Sequence, residues 1–323
     1  MSRVLILAAK CCLDQASCWD AIGCDYAGVV PETIQLGTFT PSVLLRVARR
    51  TGRLTEAGLE IVESPVASSP AQFAALLDGT LDAVLTSPDN VLAYRYLAAN
   101  PLGRTGDVHI VSAVDRGMGL ALYANGSDLA GRTFGVDVPD SGFAFAMYAL
   151  AESIGLPRSA YQVVALGSTP KRLTALLAGE CAATMLNAGN ELHAEAAGYK
   201  PLARAAEVCR PYLGTVLATR RPLRLAVGTL SAVLTATATA ILAGDLDTMV
   251  IQEAGTALGL TPALAARYLD RLTDPDEGLV PDGSVDPAAI RTLVDLRRRY
   301  GPELPGDPLA AALDPAGGLL AGA

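Results

Sequence analysis

Apolar and polar positions fall into short blocks whose period changes from two to three or four along the chain. Residues 33–36 and 59–63 alternate as strands do, and 81–86 is a nearly continuous apolar run of strand length. Between them, 42–50 follows Pro41 and stops before Gly52, as a short helix would. A second helix begins at Ser69-Pro70, with the serine as cap, sets Phe73, Leu76 and Leu77 on one face, and closes at Asp78-Gly79. Residues 87–90, Ser-Pro-Asp-Asn, read as a turn away from the last strand. Strand–helix–strand–helix–strand order predicts a parallel sheet with helices on its faces.

One hundred residues later the pattern returns. Strands are expected at 133–137, 162–166 and 182–186, and helices at 143–153 and from Thr169-Pro170 to Gly179. Residues 187–190 turn away. Residues 68–90 and 168–190 align without a gap and share eight of 23 positions: Ser68/Ser168, Pro70/Pro170, Ala75/Ala175, Leu76/Leu176, Leu77/Leu177, Gly79/Gly179, Ala83/Ala183 and Asn90/Asn190. A spacing of this length is too long for a solenoid and indicates a duplicated lobe. Two similar lobes create a cleft, and clefts between domains bind small ligands.

Beyond residue 222 the pattern is helical: 225–243, 247–258, 262–272 capped by Thr261, and 288–300. Residues 225–244 carry no charge and are long enough to span a bilayer, but their Thr, Ala, Ser and Gly content fits a core helix. From Pro302 onward a loose Pro/Gly/Ala-rich tail is expected.

The 323 residues are 51% hydrophobic and 18% charged, enough for a sizeable core in two domains. Net charge is −8 and no Lys/Arg block stands out, which argues against a nucleic-acid partner. Four of the six cysteines, Cys11, Cys12, Cys18 and Cys24, cluster near the start without a matching second pair. They therefore read as structural, not as metal ligands. The apolar run 4–9 is too short for a secretory signal.

Ligands of open parallel sheets sit beyond the carboxyl ends of the strands. There the loops run into helix N-termini, whose free N–H groups and dipole favour an anion. The candidate lining is Thr38, Phe39, Ser68, Ser69, Ser87, Asp89, Asn90, Asp137, Ser141, Gly142, Phe143, Ser168, Thr169, Asn187 and Asn190. Each has a plainer role open to it: Ser69 and Thr169 as caps, Asn90 and Asn190 as turn residues, Phe39 and Phe143 as core. Lys171 and Arg172 flank the second helix start and suit a solvated face better than an anion site. No catalytic set, phosphate loop or metal motif is present, and His109 in its apolar strand reads as a core histidine. No cofactor and no metal are expected.

These features together resemble the type II periplasmic binding proteins, in the nitrate/sulfonate/bicarbonate and thiamine-precursor branch of ABC-importer substrate-binding proteins. The resemblance rests on 34–39, on 51–62 (TGRLTEAGLEIV), on the two Ser-x-Pro-type helix starts with Leu-Leu-x-Gly, on 129–136 (LAGRTFGV) and on 278–301. It implies an α/β fold of two strand-exchanged lobes with mainly parallel sheets. Residues 33–115 plus 216–301 would form one lobe and 116–215 the other, with 1–32 as a leader and 302–323 as the tail. Hinges would lie at Arg116-Gly117 and Gly214-Thr215. The implied activity is non-catalytic binding of a small organic anion by a monomer, with an ABC permease as partner. The family is usually extracytoplasmic, whereas this sequence shows no clear signal segment. Enzymes on the same scaffold, pyrimidine-synthase-like or desulfinase-like, and a ligand sensor are the alternatives. The Cys that a desulfinase places after its first strand is here Thr38-Phe39-Thr40.

Overall fold

Two five-stranded sheets of the same design make up the body of the protein. A computed structural model describes residues 30–302, 304–314 and 319–320. The run 4–9 and the four clustered cysteines lie outside the described residues. The first pass of the chain gives β1 (Glu32–Thr38), α1 (Val43–Arg50), α2 (Arg53–Glu56), β2 (Leu59–Pro65), α3 (Ser69–Asp78), β3 (Ala83–Thr86), α4 (Pro88–Tyr96) and β4 (Val108–Asp115). The chain then crosses over. It builds β5 (Ala121–Ala124), β6 (Thr133–Val136), α5 (Gly142–Ser153), β7 (Gln162–Ala165), α6 (Thr169–Leu177), β8 (Ala183–Leu186), α7 (Asn190–Ala196), β9 (Pro201–Arg204) and α8 (Ala205–Val208). It returns as β10 (Thr215–Arg220) and ends in α9 (Leu225–Leu242), α10 (Asp247–Leu258), α11 (Pro262–Thr273), α12 (Pro287–Tyr300) and α13 (Pro308–Leu313).

The sheets run β2-β1-β3-β10-β4 and β7-β6-β8-β5-β9. Three strands in each are consecutive parallel neighbours, and one strand is reversed: β10 against β3 and β4, β5 against β8 and β9. The reversed strand in each case is the first one the chain builds after crossing between lobes. The duplication seen in residues 68–90 and 168–190 therefore extends to the order and direction of all ten strands. The sequence reading, of mainly parallel sheets, did not name β5, β9 and β10 as strands. Four-residue strands such as β5 and β9 are too short to show a period.

Residues 87–90 and 187–190 do not simply turn away. They open α4 and α7, and Pro88 sits in the first turn of α4, where its missing N–H costs nothing. The cap of α3 is Ser68, whose hydroxyl accepts from Ala71 N–H, and Ser69 is the first helical residue. In α9 the buried positions 226, 227, 230, 233, 234, 237, 238 and 241 form one stripe against the first sheet, the pattern of a core helix. The tail is ordered where it is described. Asp307 caps α13, and Leu319 O accepts from Ile110 N–H (2.7 Å), so Leu320 bridges in parallel to the free edge of β4.

One buried ion pair ties these layers together. Arg297 of α12, 1% exposed, holds Asp89 of α4 by Nε–Oδ1 at 2.8 Å and Nη2–Oδ2 at 2.6 Å. Its Nη2 also donates to the Asp140 carbonyl at 3.2 Å, and its guanidinium lies over the Phe145 ring at 4.8 Å. A planar fork suits this task, since it satisfies a carboxylate and a carbonyl from different lobes at once. A second polar contact joins α7 to α11, where Arg267 and Arg271 reach Glu195. Behind it Glu191 is buried, with one oxygen on Gly189 N–H at 2.8 Å. Burial raises its carboxyl pKa from 4.5 to about 8, against the Gly189 bond and the Arg271 charge.

Breaking the Arg297–Asp89 pair with Arg297→Met should destabilise the fold by about 3–5 kcal/mol in urea denaturation, because it strands a buried carboxylate. Adding Asp89→Asn should recover part of that loss. Folded Glu191 retains a proton that the unfolded chain releases, so stability should fall as pH rises from 4.5 to about 8. Thermal melts of Glu191→Gln should lose that slope.

Candidate functional site

The loops after β1, β3, β6, β7 and β8 converge on one cavity of about 120 Å³ between the lobes. Its wall includes Thr38, Phe39, Ser87, Asn90, Asp137, Ser141, Gly142, Phe143, Thr169 and Asn187 among the residues singled out from the sequence. The other five stand off it. Ser68 caps α3, and Asp89 is committed to Arg297. Ser69 donates its N–H to the Asp137 carboxylate at 3.0 Å. The N–H of Ser168 goes to Ala67 O at 3.0 Å. Asn190 spends its amide on Thr40 Oγ1 (3.2 Å) and Asn187 O (3.0 Å).

Those off-wall residues hold the lobes against each other. The Ser69–Asp137, Ser168–Ala67 and Asn190–Thr40 bonds all run from one lobe to the other, so the cleft is closed. Glycine makes two of the approaches possible. A Cβ on Gly142 would lie 2.5 Å from Asp89 Cβ and 3.1 Å from Ser87 Oγ, and one on Gly167 would lie 2.6 Å from Ala67 O. The two crossovers touch as well: Gly214 N–H bonds Asp115 O at 3.0 Å, and Gly214 leaves no room for a side chain against Gly117.

Several wall residues were not legible in the sequence as such. Tyr268 and Leu272 come from α11, far along the helical tail. Met118 and Ala188 line the wall with positive φ, 51° and 54°, and Ala188 N–H bonds Met118 O at 2.9 Å. Such backbone is uncommon outside glycine and clusters at functional sites.

The most consequential is Arg172. It is not on a solvated face: it is 2% exposed and lines the cleft, whereas Lys171 beside it is exposed. Its Nη1 donates to Gly167 O (2.6 Å), and its Nη2 to Thr169 Oγ1 (3.0 Å) and Met185 O (3.3 Å). Its Nε has no partner, and among the described residues no carboxylate forms an ion pair with it. Burial pushes its pKa down to about 10, with the Asp137 charge acting the other way. The duplication gives a signal that finds this residue. Position 172 matches Gln72, whose Nε2 bonds Leu85 O at 3.1 Å, as Arg172 bonds Met185 O. One copy keeps a neutral amide there, and the other carries a cation.

Three helices, α4, α5 and α6, present N-termini to the same cavity with no side chain capping them. The one acid in their first turns, Asp89, is neutralised by Arg297. The hydroxyl of Ser87 is buried there without a partner. Phe39, Leu44, Leu85, Val114, Phe143 and Leu272 give the wall a large apolar part, and Asp115 and Tyr268 line it too. His109 lies elsewhere, on β4, with its Nε2 against Asp107 (2.8 Å) and Arg95 (2.9 Å). Among the described residues no group of three or more His, Cys, Asp or Glu is placed to hold a metal.

Two lobes with matching, mainly parallel sheets, two crossovers, and an interlobe cavity ringed by helix N-termini define an architecture. The fold is that of the periplasmic binding proteins. The alkanesulfonate-binding protein SsuA from Xanthomonas axonopodis pv. citri, solved bound to MOPS, superposes with a TM-score of 0.66 at 17% identity, over 84% of this chain and 95% of that one. A Candida albicans protein described as having the generic periplasmic binding protein fold gives 0.64 at 14% identity, over 86% and 93%. DszB in complex with biphenyl-2-sulfinic acid gives 0.52 at 16% identity, over 83% and 91%. No protein-family model and no curated protein sequence matches the chain.

In a periplasmic-binding-protein fold the closed form depends on close lobe contact, and Gly142 is the tightest side-chain-free approach to a pinned residue. Gly142→Ala should keep the helical circular-dichroism spectrum yet enlarge the radius of gyration in small-angle X-ray scattering. Unchanged scattering would show that Asp89 can yield.

Proposed function

We propose that the protein binds a small organic anion between its lobes, as the ligand-binding component of an ABC-type importer. The observation that carries this reading is the Arg172 guanidinium, buried in the cleft with Nε unbonded and no ion-pair partner. An uncompensated buried charge costs several kcal/mol, so a site that keeps one is poised for an anion. The uncapped N-termini of α4, α5 and α6 and the free Ser87 hydroxyl add donors around the same space. The apolar wall suits a hydrocarbon or aromatic body attached to the anionic head. The relatives of like fold include a sulfonate-binding protein and a protein crystallised with a sulfinic acid, both organosulfur anions.

In this reading, lobe 1 is 33–115 plus 216–301 and lobe 2 is 116–215. Rotation about Arg116-Gly117 and Gly214-Thr215 opens the cleft, and the ligand's preference for the closed form sets the population. α12 packs on α5 of lobe 2 as well as α4 of lobe 1, through Arg299 and Tyr300 to Glu152 and Arg297 to Asp89. It is therefore the element that slides when the lobes part.

A thermal-shift series with MOPS, 1-butanesulfonate, benzenesulfonate and benzoate tests the reading. At least one should raise Tm with a concentration dependence set by its Kd. Arg172→Met should abolish the shift while leaving the unliganded Tm unchanged or higher, since it removes a buried unpaired charge. No shift with any probe, or an equal shift in the variant, would overturn it.

A further inference from the structure

We infer that the ligand carries a cationic group as well as its anionic head, an ammonium or amidinium seated against Asp115 while the anion faces Arg172. The inference rests on the anion-binding reading and adds the second charge. Asp115 ends β4 where the chain crosses to the other lobe; it is 6% exposed and lines the cleft. It accepts from Gly117 N–H at 2.8 Å and from the Thr215 hydroxyl. Among the described residues it forms no ion pair. The neighbouring Arg116 turns its guanidinium elsewhere and donates to Leu279 O at 2.7 Å.

Hydrogen bonds from Gly117 and from the Thr215 hydroxyl and N–H, with the Arg116 charge nearby, offset part of its charge, and among the described residues no cation pairs with it. From α11 comes Tyr268, with Glu191 beyond it; from the returning crossover comes Tyr212; from the outgoing one, Arg116. Across the cleft, Asp137 and Arg172 share the second lobe's wall. Asp137 is held by Ser69 N–H, and Arg172 by carbonyls and Thr169. The cavity is thus lined by one cation and two carboxylates. A plain organic anion would satisfy Arg172 but bring a third negative charge beside Asp115 and Asp137. A zwitterion compensates both ends. Tyr268, aromatic and lining the same region, supplies a ring against which an ammonium is attracted.

Burial raises the Asp115 carboxyl from 3.8 to about 6, opposed by the Thr215 and Gly117 bonds and by Arg116. This gives the two ligand classes opposite pH signatures. A ligand cation stabilises the ionised carboxylate, so its affinity falls as pH drops through about 6. A plain anion favours the protonated form, so its affinity rises over the same interval.

The test is isothermal titration of matched pairs into the whole protein: 3-aminopropanesulfonate against 1-propanesulfonate, and 4-aminobutyrate against butyrate. The amine-bearing member should bind about tenfold or more tighter at neutral pH, a difference of about 1.4 kcal/mol. Its affinity should weaken on acidification, and Asp115→Asn should erase the preference while still binding the plain anion. Equal or tighter binding of the plain anion, or affinity for the amine that rises on acidification, would overturn this inference and leave the anion site standing. Binding of neither member of either pair, with no shift from the sulfonates and benzoate above, would overturn both.

Discussion

A guanidinium enclosed by carbonyls, with one N–H unbonded and no carboxylate in contact, is expensive to keep inside a folded chain. Arg172 is such a group, and the nearby Asp137 charge offsets its burial only in part. Its bonds to Gly167, Thr169 and Met185 fix the guanidinium at the first turn of α6, with the uncapped helix end beside it. Helix dipole and side-chain charge therefore act on the same volume with the same sign.

That arrangement has force only if the opposite lobe closes over it. Closure here is a matter of backbone approach more than of side-chain packing. Ala67 O meets Ser168 N–H, Ser69 N–H meets Asp137, and Gly142 comes against Asp89 with no Cβ in between. Asp89 can serve as a stop because Arg297 pins it by two bonds. The residue that looked from its position in a loop like a ligand-binding acid is instead a strut that fixes where the lobes meet.

The sequence carried the architecture well because duplication multiplies weak signals. Each four-residue strand is ambiguous alone, but the 68–90 and 168–190 segments place the same strand–helix–strand in two settings, and the loops at their carboxyl ends define the cleft. What it did not carry depends on contacts far apart in the chain. Nothing near 268 marks α11 as a wall of the cavity, and nothing near 297 names Asp89 as its partner. Strands β5 and β10 follow from the crossover and not from any local period. The tail looked loose because its Gly and Pro content is high, yet Leu319 and Leu320 find the one open edge of β4. Residues 1–29 and the cysteines among them lie outside what the structure describes.

Comparison of the two copies shows where the two sides of the cleft differ. Gln72 and Arg172 are buried at matched positions and reach matched carbonyls, Leu85 and Met185. The amide meets that carbonyl and Gly37 O without charge. The guanidinium meets it too and adds a positive charge and a spare donor. The strand register matches Gly37 to Gly135 and so Phe39 to Asp137, which puts an acid on the second lobe where the first has an aromatic ring, and its carboxylate accepts from the N-terminus of α3 in the other lobe. Arg172 thus sets an unpaired cation on the second lobe, and Asp137 fills the helix N-terminus of the first with a carboxylate from the protein itself. The two sides of the cleft therefore differ in charge and in free donors.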